Sequence, residues 1–212
     1  MSGPNEHYYT AKPTGKRDLH TIVETLRGTS FTFQSDAGVF AKKGVDYGSC
    51  ALIEAMELAD DSRVLDVGCG YGPIGLAAAK AAPRGHVTML DINERAVELA
   101  RDNAARNGIG NVTVLQSDLL ERVSGERFDV IVSNPPIRAG KAVVHRLFEQ
   151  ASDRLRPGGC LWIVIQKKQG APSAMAKLET LFPNVRIVDK DKGYWVIRAE
   201  KEAAAAVEAT DA

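Results

Sequence analysis

Four segments of this 212-residue chain hold residues able to do chemistry, and each ends a short apolar run. The first is Val64-Leu65-Asp66-Val67-Gly68-Cys69-Gly70-Tyr71-Gly72-Pro73-Ile74-Gly75. Glycines after a strand let the backbone approach a ligand at the strand's carboxyl end, where open α/β sheets bind. Gly70, Gly72 and Gly75 have the spacing of a dinucleotide loop, and Asp91 stands where a ribose diol would be held. The same glycines would also serve strand–helix packing alone. Asp66 points elsewhere, because a carboxylate two residues before Gly68 opposes a pyrophosphate but suits an ammonium group. A third acid, Asp118, follows Gln116-Ser117; alone it reads equally well as a cap for residues 119–122. Together the three could hold an ammonium, a ribose diol and an adenine amino group. That set fits S-adenosylmethionine and fits NAD badly.

The fourth segment is Asn134-Pro135-Pro136-Ile137, directly after Phe128–Ser133. Asn-Pro favours a turn in any protein, and two prolines end any strand. After an acid–glycine loop it gains a chemical use. An exocyclic amine on a planar ring delocalises its lone pair and is a poor nucleophile. If Asn134 Oδ1 and the Pro135 carbonyl each accept one N–H, the nitrogen is held nearer tetrahedral, with its lone pair aimed at a methyl carbon. The prolines fix φ and so aim the carbonyl. No strong base is needed, since the proton can leave once the nitrogen is cationic.

These segments need a sheet to position them. The pattern predicts strands at Arg63–Val67, His86–Asp91, Val112–Gln116, Phe128–Ser133, Cys160–Gln166, Val185–Asp189 and Tyr194–Ala199. Helices fit at about 48–59, 73–82, 93–107, 140–155 and 171–182. Ordered β–α alternation implies a doubly wound α/β fold, a seven-stranded, mostly parallel sheet. Only Lys190–Gly193 separates the last two strands, so the final hairpin strand runs antiparallel. Short strands around Arg27-Gly28 make a small N-terminal β extension, with Asp46 or Ser49 opening the first helix. We expect an arm and hairpin over 1–45, the catalytic domain over 46–199 and a disordered acidic, alanine-rich tail over 200–212.

Composition narrows the function. Lys and Arg number 27 against 27 acids, so general electrostatic coating of DNA is excluded. The 199–212 stretch carries four acids and one base, leaving the body at +3. No stretch approaches the ~20 apolar residues of a membrane span, and no signal peptide opens the chain. Cys50, Cys69 and Cys160 are isolated, so neither a disulfide framework nor a metal cluster is expected, and the cytoplasm is the expected compartment. Cys69 reads as loop packing. Monomer and dimer are equally compatible with the sequence.

Taken together, Val64–Leu76, Asp91, Asp118 and Ser133–Ile137 resemble the motifs of class I S-adenosylmethionine-dependent methyltransferases. Three more stretches, Gly38-Val39-Phe40…Val45-Asp46-x-Gly48-Ser49, Asn134–Lys141 and Gln166–Ala171, resemble the small-subunit rRNA guanine-N2 methyltransferase family. The similarity runs over about residues 7–198. It implies a Rossmann-like fold and N-methylation of guanine in ribosomal RNA, with S-adenosylmethionine as cofactor and RNA or a small-subunit particle as partner. The implied cofactor residues are Phe40, Asp66, Gly68, Cys69, Gly70, Asp91, Ile92, Asp118 and Asn134. The implied catalytic residues are Asn134, Pro135 and Pro136. Ile137, Arg138, Lys141, Lys167 and Lys168, with Lys42 and Lys43, would meet the RNA. Two departures stand out: the additional N-terminal domain of larger members is absent, and Ile137 replaces a residue that is often aromatic. Alternatives are methylation of a protein glutamine amide, a non-catalytic module assisting ribosome assembly, and a dehydrogenase.

Overall fold

A computed structural model describes residues 17–36 and 44–204. Phe40, Lys42, Lys43, Gly38-Val39 and the 205–212 tail therefore lie outside the described residues. Two strands, β1 (Leu19–Leu26) and β2 (Thr29–Asp36), form an antiparallel hairpin. Its two-residue turn places both Arg27 (φ 48°) and Gly28 (φ 73°) in the left-handed region, as the twist of a tight hairpin requires.

A seven-stranded sheet follows, made of β3 (Arg63–Val67), β4 (His86–Asp91), β5 (Val112–Gln116), β6 (Phe128–Ser133), β7 (Leu155–Gln166), β8 (Asn184–Asp191) and β9 (Tyr194–Glu200). Their spatial order is β5-β4-β3-β6-β7-β9-β8, and β9 is antiparallel to both neighbours. The reversed strand is thus threaded inside the sheet, leaving β8 at the edge. Between β3 and β6 the winding changes direction, the place where α/β sheets open a crevice at their carboxyl ends.

Both faces are covered, so the central strands are buried throughout. On one face α1 (Tyr47–Ala55), α2 (Pro73–Ala81) and α3 (Glu94–Arg106) pack with the hairpin's Ile22, Leu26, Phe31 and Phe33 against Val64, Val130, Val132 and Trp162. On the other, α4 (Lys141–Arg154) and α5 (Ala171–Glu179) cover Leu65, Ile131, Leu161 and Ile163. The period of two along each strand sorts these side chains. By the same parity Asp66, with Val64, faces α2.

Some boundaries depart from expectation. The first helix stops at Ala55, not 59, because Arg27 Nη1 donates to the carbonyls of Ile53 (2.9 Å) and Met56 (2.7 Å). A cation from the hairpin thereby satisfies the helix's C-terminal carbonyls. Glu200 completes β9, and the next residues stay attached: Lys201 N–H donates to Gly159 O and Gly158 N–H to Glu202 O. The expected tail boundary at 200 therefore falls inside the sheet.

Two asparagines, Asn103 on α3 and Asn107 at its C-cap, fasten the hairpin. Asn103 Oδ1 accepts from Gln34 N–H (2.7 Å) and its Nδ2 donates to Gln34 O (2.9 Å) and Tyr71 O (2.8 Å). One turn on, Asn107 makes the equivalent pair with Thr32. Spaced i, i+4 on the helix and i, i+2 on the strand, the amides act as peptide groups along β2. Replacing the fully buried Asn103 by alanine leaves three backbone groups without these partners. Asn103→Ala is expected to lower unfolding free energy by about 2–4 kcal/mol in urea titrations, well beyond an exposed substitution on the same helix.

Candidate active site

A cleft of about 900 Å³, counted to its open mouth, lies at the carboxyl ends of β3, β4 and β6. Gly68, Cys69, Gly70, Asp91, Ile92, Asn134, Pro135 and Pro136, singled out from the sequence, all line it. Gly68 (φ 76°), Gly70 (φ 58°) and Gly72 (φ 104°) each adopt left-handed backbone, which folds the loop back on itself. The N–H groups of Gly68 and Cys69 both donate to Leu90 O, at 2.8 and 2.9 Å. Gly75 serves packing instead, since a Cβ there would stand 2.7 Å from Met89 and push α2 away from β4.

Asp91 joins two loops. Its Oδ2 accepts from Gly70 N–H (2.8 Å) and its Oδ1 from Asn93 N–H (2.9 Å). Burial pushes its carboxyl up to about 6, against the pull of the Asn93, Gly70 and Ile92 N–H groups. Asp66 lies beneath the glycine turn rather than in the cleft wall. It is fully buried, and neither carboxylate oxygen has a close hydrogen-bond partner among the described residues. Burial pushes it up to about 7, offset in part by the Gly75 N–H in the first turn of α2 and raised again by Asp91.

An acidic floor under a loop of glycines is a fitting seat for a cationic sulfonium and ammonium. Asp91 offers acceptors to a diol, and Leu90, Ile92, Ala96 and Leu119 give flat apolar wall for a base. Asp118 is placed differently from expectation. It is ion-paired with Arg146 on α4 (2.7 Å) and is not part of the wall, which its neighbours Ser117 and Leu119 supply. Leu119 enters the wall through a left-handed backbone (φ 46°).

The opposite wall is the Asn134-Pro135-Pro136 turn. Pro136 (φ −75°, ψ 75°) has inverse γ-turn geometry, and Ile137 N–H donates to Pro135 O at 2.8 Å. One lone pair of that carbonyl is used and its direction is set. Asn134 Nδ2 donates to Asp46 Oδ2 (2.8 Å) and to Ser49 Oγ (3.1 Å). Asp46 and Ser49, read from the sequence as helix caps within a family-like stretch and given no site role, belong to the cleft wall too. They lie 88 and 85 residues from Asn134, and no local pattern relates them.

The expected substrate residues flank this wall. Ile137 is half-buried against the second core, and Arg138, Lys141, Lys167 and Lys168 follow the ends of β6 and β7 at the protein surface. A second, shallower cavity nearby is lined by Ile137, Lys141, His145, Gln169 and Gly170.

The Asp66 carboxyl has a measurable consequence. Its folded pKa exceeds its ordinary value, so its protonated form stabilises the fold fully below about pH 4, and this is lost as pH rises through 7. Asp66→Asn removes that titration. Between pH 5 and 8 the fall in unfolding free energy is expected to be smaller in the variant by about 2–3 kcal/mol, read by urea titration at each pH.

Known proteins resemble the chain over most of its length. The chain is 54% identical over 199 residues to the uncharacterized protein YbxB of Bacillus subtilis, covering 93% of this chain and 99% of that one. It is 33% identical over 185 residues to ribosomal RNA large subunit methyltransferase G of Streptomyces avermitilis, covering 85% of this chain but 47% of that one. The 16S rRNA N2 G1207 methyltransferase of T. thermophilus, solved with AdoMet and guanosine, superposes with a TM-score of 0.78 at 29% identity. That match covers 90% of this chain and 52% of the other. The chain thus spans about half the length of the rRNA methyltransferases it matches. Residues 30–198 match the methyltransferase small domain, and the chain belongs to that family.

Proposed function

We propose that the protein is an S-adenosylmethionine-dependent N-methyltransferase acting on an exocyclic amine, guanine N2 of ribosomal RNA. One observation carries this reading: Asn134-Pro135-Pro136 and Asp91 line the same cleft, facing it from different strand ends. The matched proteins that act on ribosomal RNA support the substrate class, and the T. thermophilus N2 methyltransferase, solved with guanosine, supports the atom.

When bound, S-adenosylmethionine supplies a methyl group on a sulfonium. The chain's own work is placement. Asp91 holds the ribose hydroxyls, and the buried Asp66 sets a negative field behind the glycine turn. Asn134 Oδ1 and the free lone pair of Pro135 O each accept one N–H of the amine, turning its lone pair toward the methyl carbon. So held, the amine lone pair would form the new C–N bond, and the C–S electron pair would remain on sulfur as a neutral thioether. The nitrogen then sheds a proton to water. Orientation of this kind supplies several kcal/mol without a general base.

Arg138, Lys141, Lys167 and Lys168 extend the catalytic wall as a basic rim, suited to phosphates flanking an extruded base. Ile137 offers that base an apolar face without π stacking. With so few charges, affinity for RNA depends on salt and on the shape of the target. Cellular RNA from strains with and without the gene, digested and compared by mass spectrometry, tests the assignment: loss of one N2-methylguanosine is expected.

Asp91→Ala is expected to weaken S-adenosylhomocysteine by about 1.5–3 kcal/mol in calorimetry. Asn134→Ala should lower turnover about 100-fold or more while cofactor affinity hardly changes. Lys167→Ala with Lys168→Ala should reduce RNA methylation and leave cofactor binding intact. Activity insensitive both to that double change and to salt between about 50 and 200 mM would assign the amine to a protein amide instead.

A further inference from the structure

We infer that Asp46 is the positioning residue that makes Asn134 an acceptor: it holds the amide by its nitrogen and leaves the oxygen to the substrate amine. The inference deepens the amine-methylation reading and rests on it. A carboxamide has two ends of similar shape and opposite hydrogen-bonding sense. In the reaction only the oxygen end is useful, because an amine N–H needs an acceptor. A free asparagine would sample both orientations.

The network around Asp46 removes the choice. Asp46 Oδ1 accepts from Gly48 N–H (2.9 Å), and Oδ2 accepts from Ser49 N–H (3.1 Å), Ser49 Oγ–H (2.5 Å) and Asn134 Nδ2 (2.8 Å). The Ser49 hydroxyl proton is spent on Asp46, so its oxygen is free to share the Nδ2 proton that points at Asp46, at 3.1 Å. The Nδ2 end of Asn134 is therefore held between two oxygens that stand 2.5 Å apart. Turning the amide over would set its oxygen against a carboxylate oxygen at hydrogen-bond distance, a repulsive contact. The wrong orientation is excluded by charge, not by shape.

The carboxylate also polarises what it holds. A negative charge on the N–H side of an amide shifts electron density to the carbonyl oxygen, as in any chain of hydrogen bonds. Asn134 Oδ1 then attracts an amine N–H more strongly as positive charge grows on the nitrogen. The interaction strengthens in the transition state and so accelerates the step instead of merely binding substrate. It also sets specificity, since a substrate presenting an acceptor in place of an N–H meets a second acceptor.

The arrangement depends on the hinge between the loop and α1. Asp46 is the N-cap of α1, and its backbone (φ −63°, ψ 147°) is fixed by the helix it starts. A Cβ at Gly48 would stand 2.7 Å from the Tyr194 ring, so this helix start is pressed against β9. The cap and the catalytic asparagine share one carboxylate.

Asp46→Asn separates the two roles, because asparagine caps a helix as well as aspartate does but has no charge and only one acceptor oxygen for the four donors that the carboxylate serves. The variant should fold and bind S-adenosylhomocysteine within about twofold of wild type. Its kcat should fall about 10- to 100-fold with a small change in KM for RNA. In an Asn134→Ala background the same substitution should cost nothing further, since Asp46 acts through Asn134. An undiminished loss in that background, or full activity of Asp46→Asn alone, would overturn the inference. A readout without substrate keeps the two readings apart. The Asn134 side-chain ¹⁵NH₂ pair, assigned by its loss in Asn134→Ala, should exchange slowly in the wild type and shift in Asp46→Asn. Unchanged signals would overturn the positioning role, whereas protected signals in a protein that methylates no RNA would overturn the assigned function alone.

Discussion

The carboxylate of Asp91 is the pin on which the cleft turns. It accepts backbone N–H groups from the glycine loop and from the start of α3, and so joins two segments that belong to different strand ends. Placing an acid in this half-buried position disfavours its charged form, and two N–H donors offset part of that. The loop glycines can turn because they lack side chains; Asp91 determines where they turn to. Asp66, under the same loop, adds a second desolvated acid with fewer compensations. The floor of the cleft is thus held at an electrostatic cost that a cationic ligand would relieve.

Around that pin the two walls have different characters. The side built from Leu90, Ile92, Ala96 and Leu119 is apolar and generic, suited to a flat ring and tolerant of exchange among aliphatic residues. The side built from Asn134, Pro135 and Pro136 is specific, with its polar directions fixed by a ring, a turn or a partner. In the function proposed above, binding and chemistry fall to separate strand ends, β4 and β5 for the first and β6 for the second. Affinity and turnover can be altered independently for this reason.

Much of this was legible in the sequence, for reasons that differ by element. The buried central strands betray themselves as apolar runs because both faces are covered, and the loop glycines, Asp91 and Asn134-Pro135-Pro136 stand at their ends. Three features were not legible. The early end of α1 depends on Arg27, whose guanidinium arrives from the hairpin. Asp118 sits at the expected strand end, yet its carboxylate is drawn to Arg146 on α4 and its neighbours take the wall. Asp46 looks from sequence like a helix cap, which it is; its second role depends on Asn134, far along the chain. Local pattern finds groups that act through their own backbone position, and misses those whose partner is supplied by tertiary folding.

The hairpin of β8 and β9 gives the site an order in time. Its tip meets both halves of the catalytic wall: Tyr47 is hydrogen-bonded to Asp191 and lies under Lys192, while Lys167 N–H donates to Gly193 O at 2.8 Å. Tyr47 and Asp191 are separated by 144 positions, and Tyr194 backs the turn that presents Asp46. Contacts of such separation form late, because closing a long loop costs entropy before the contact is made. On a translating ribosome, the contact between Tyr47 and Asp191 waits until residue 191 has left the exit tunnel. The contacts of Asp91 with Gly70 and Asn93 lie within a short span of chain, so the two sides of the cleft differ in how soon their partners become available.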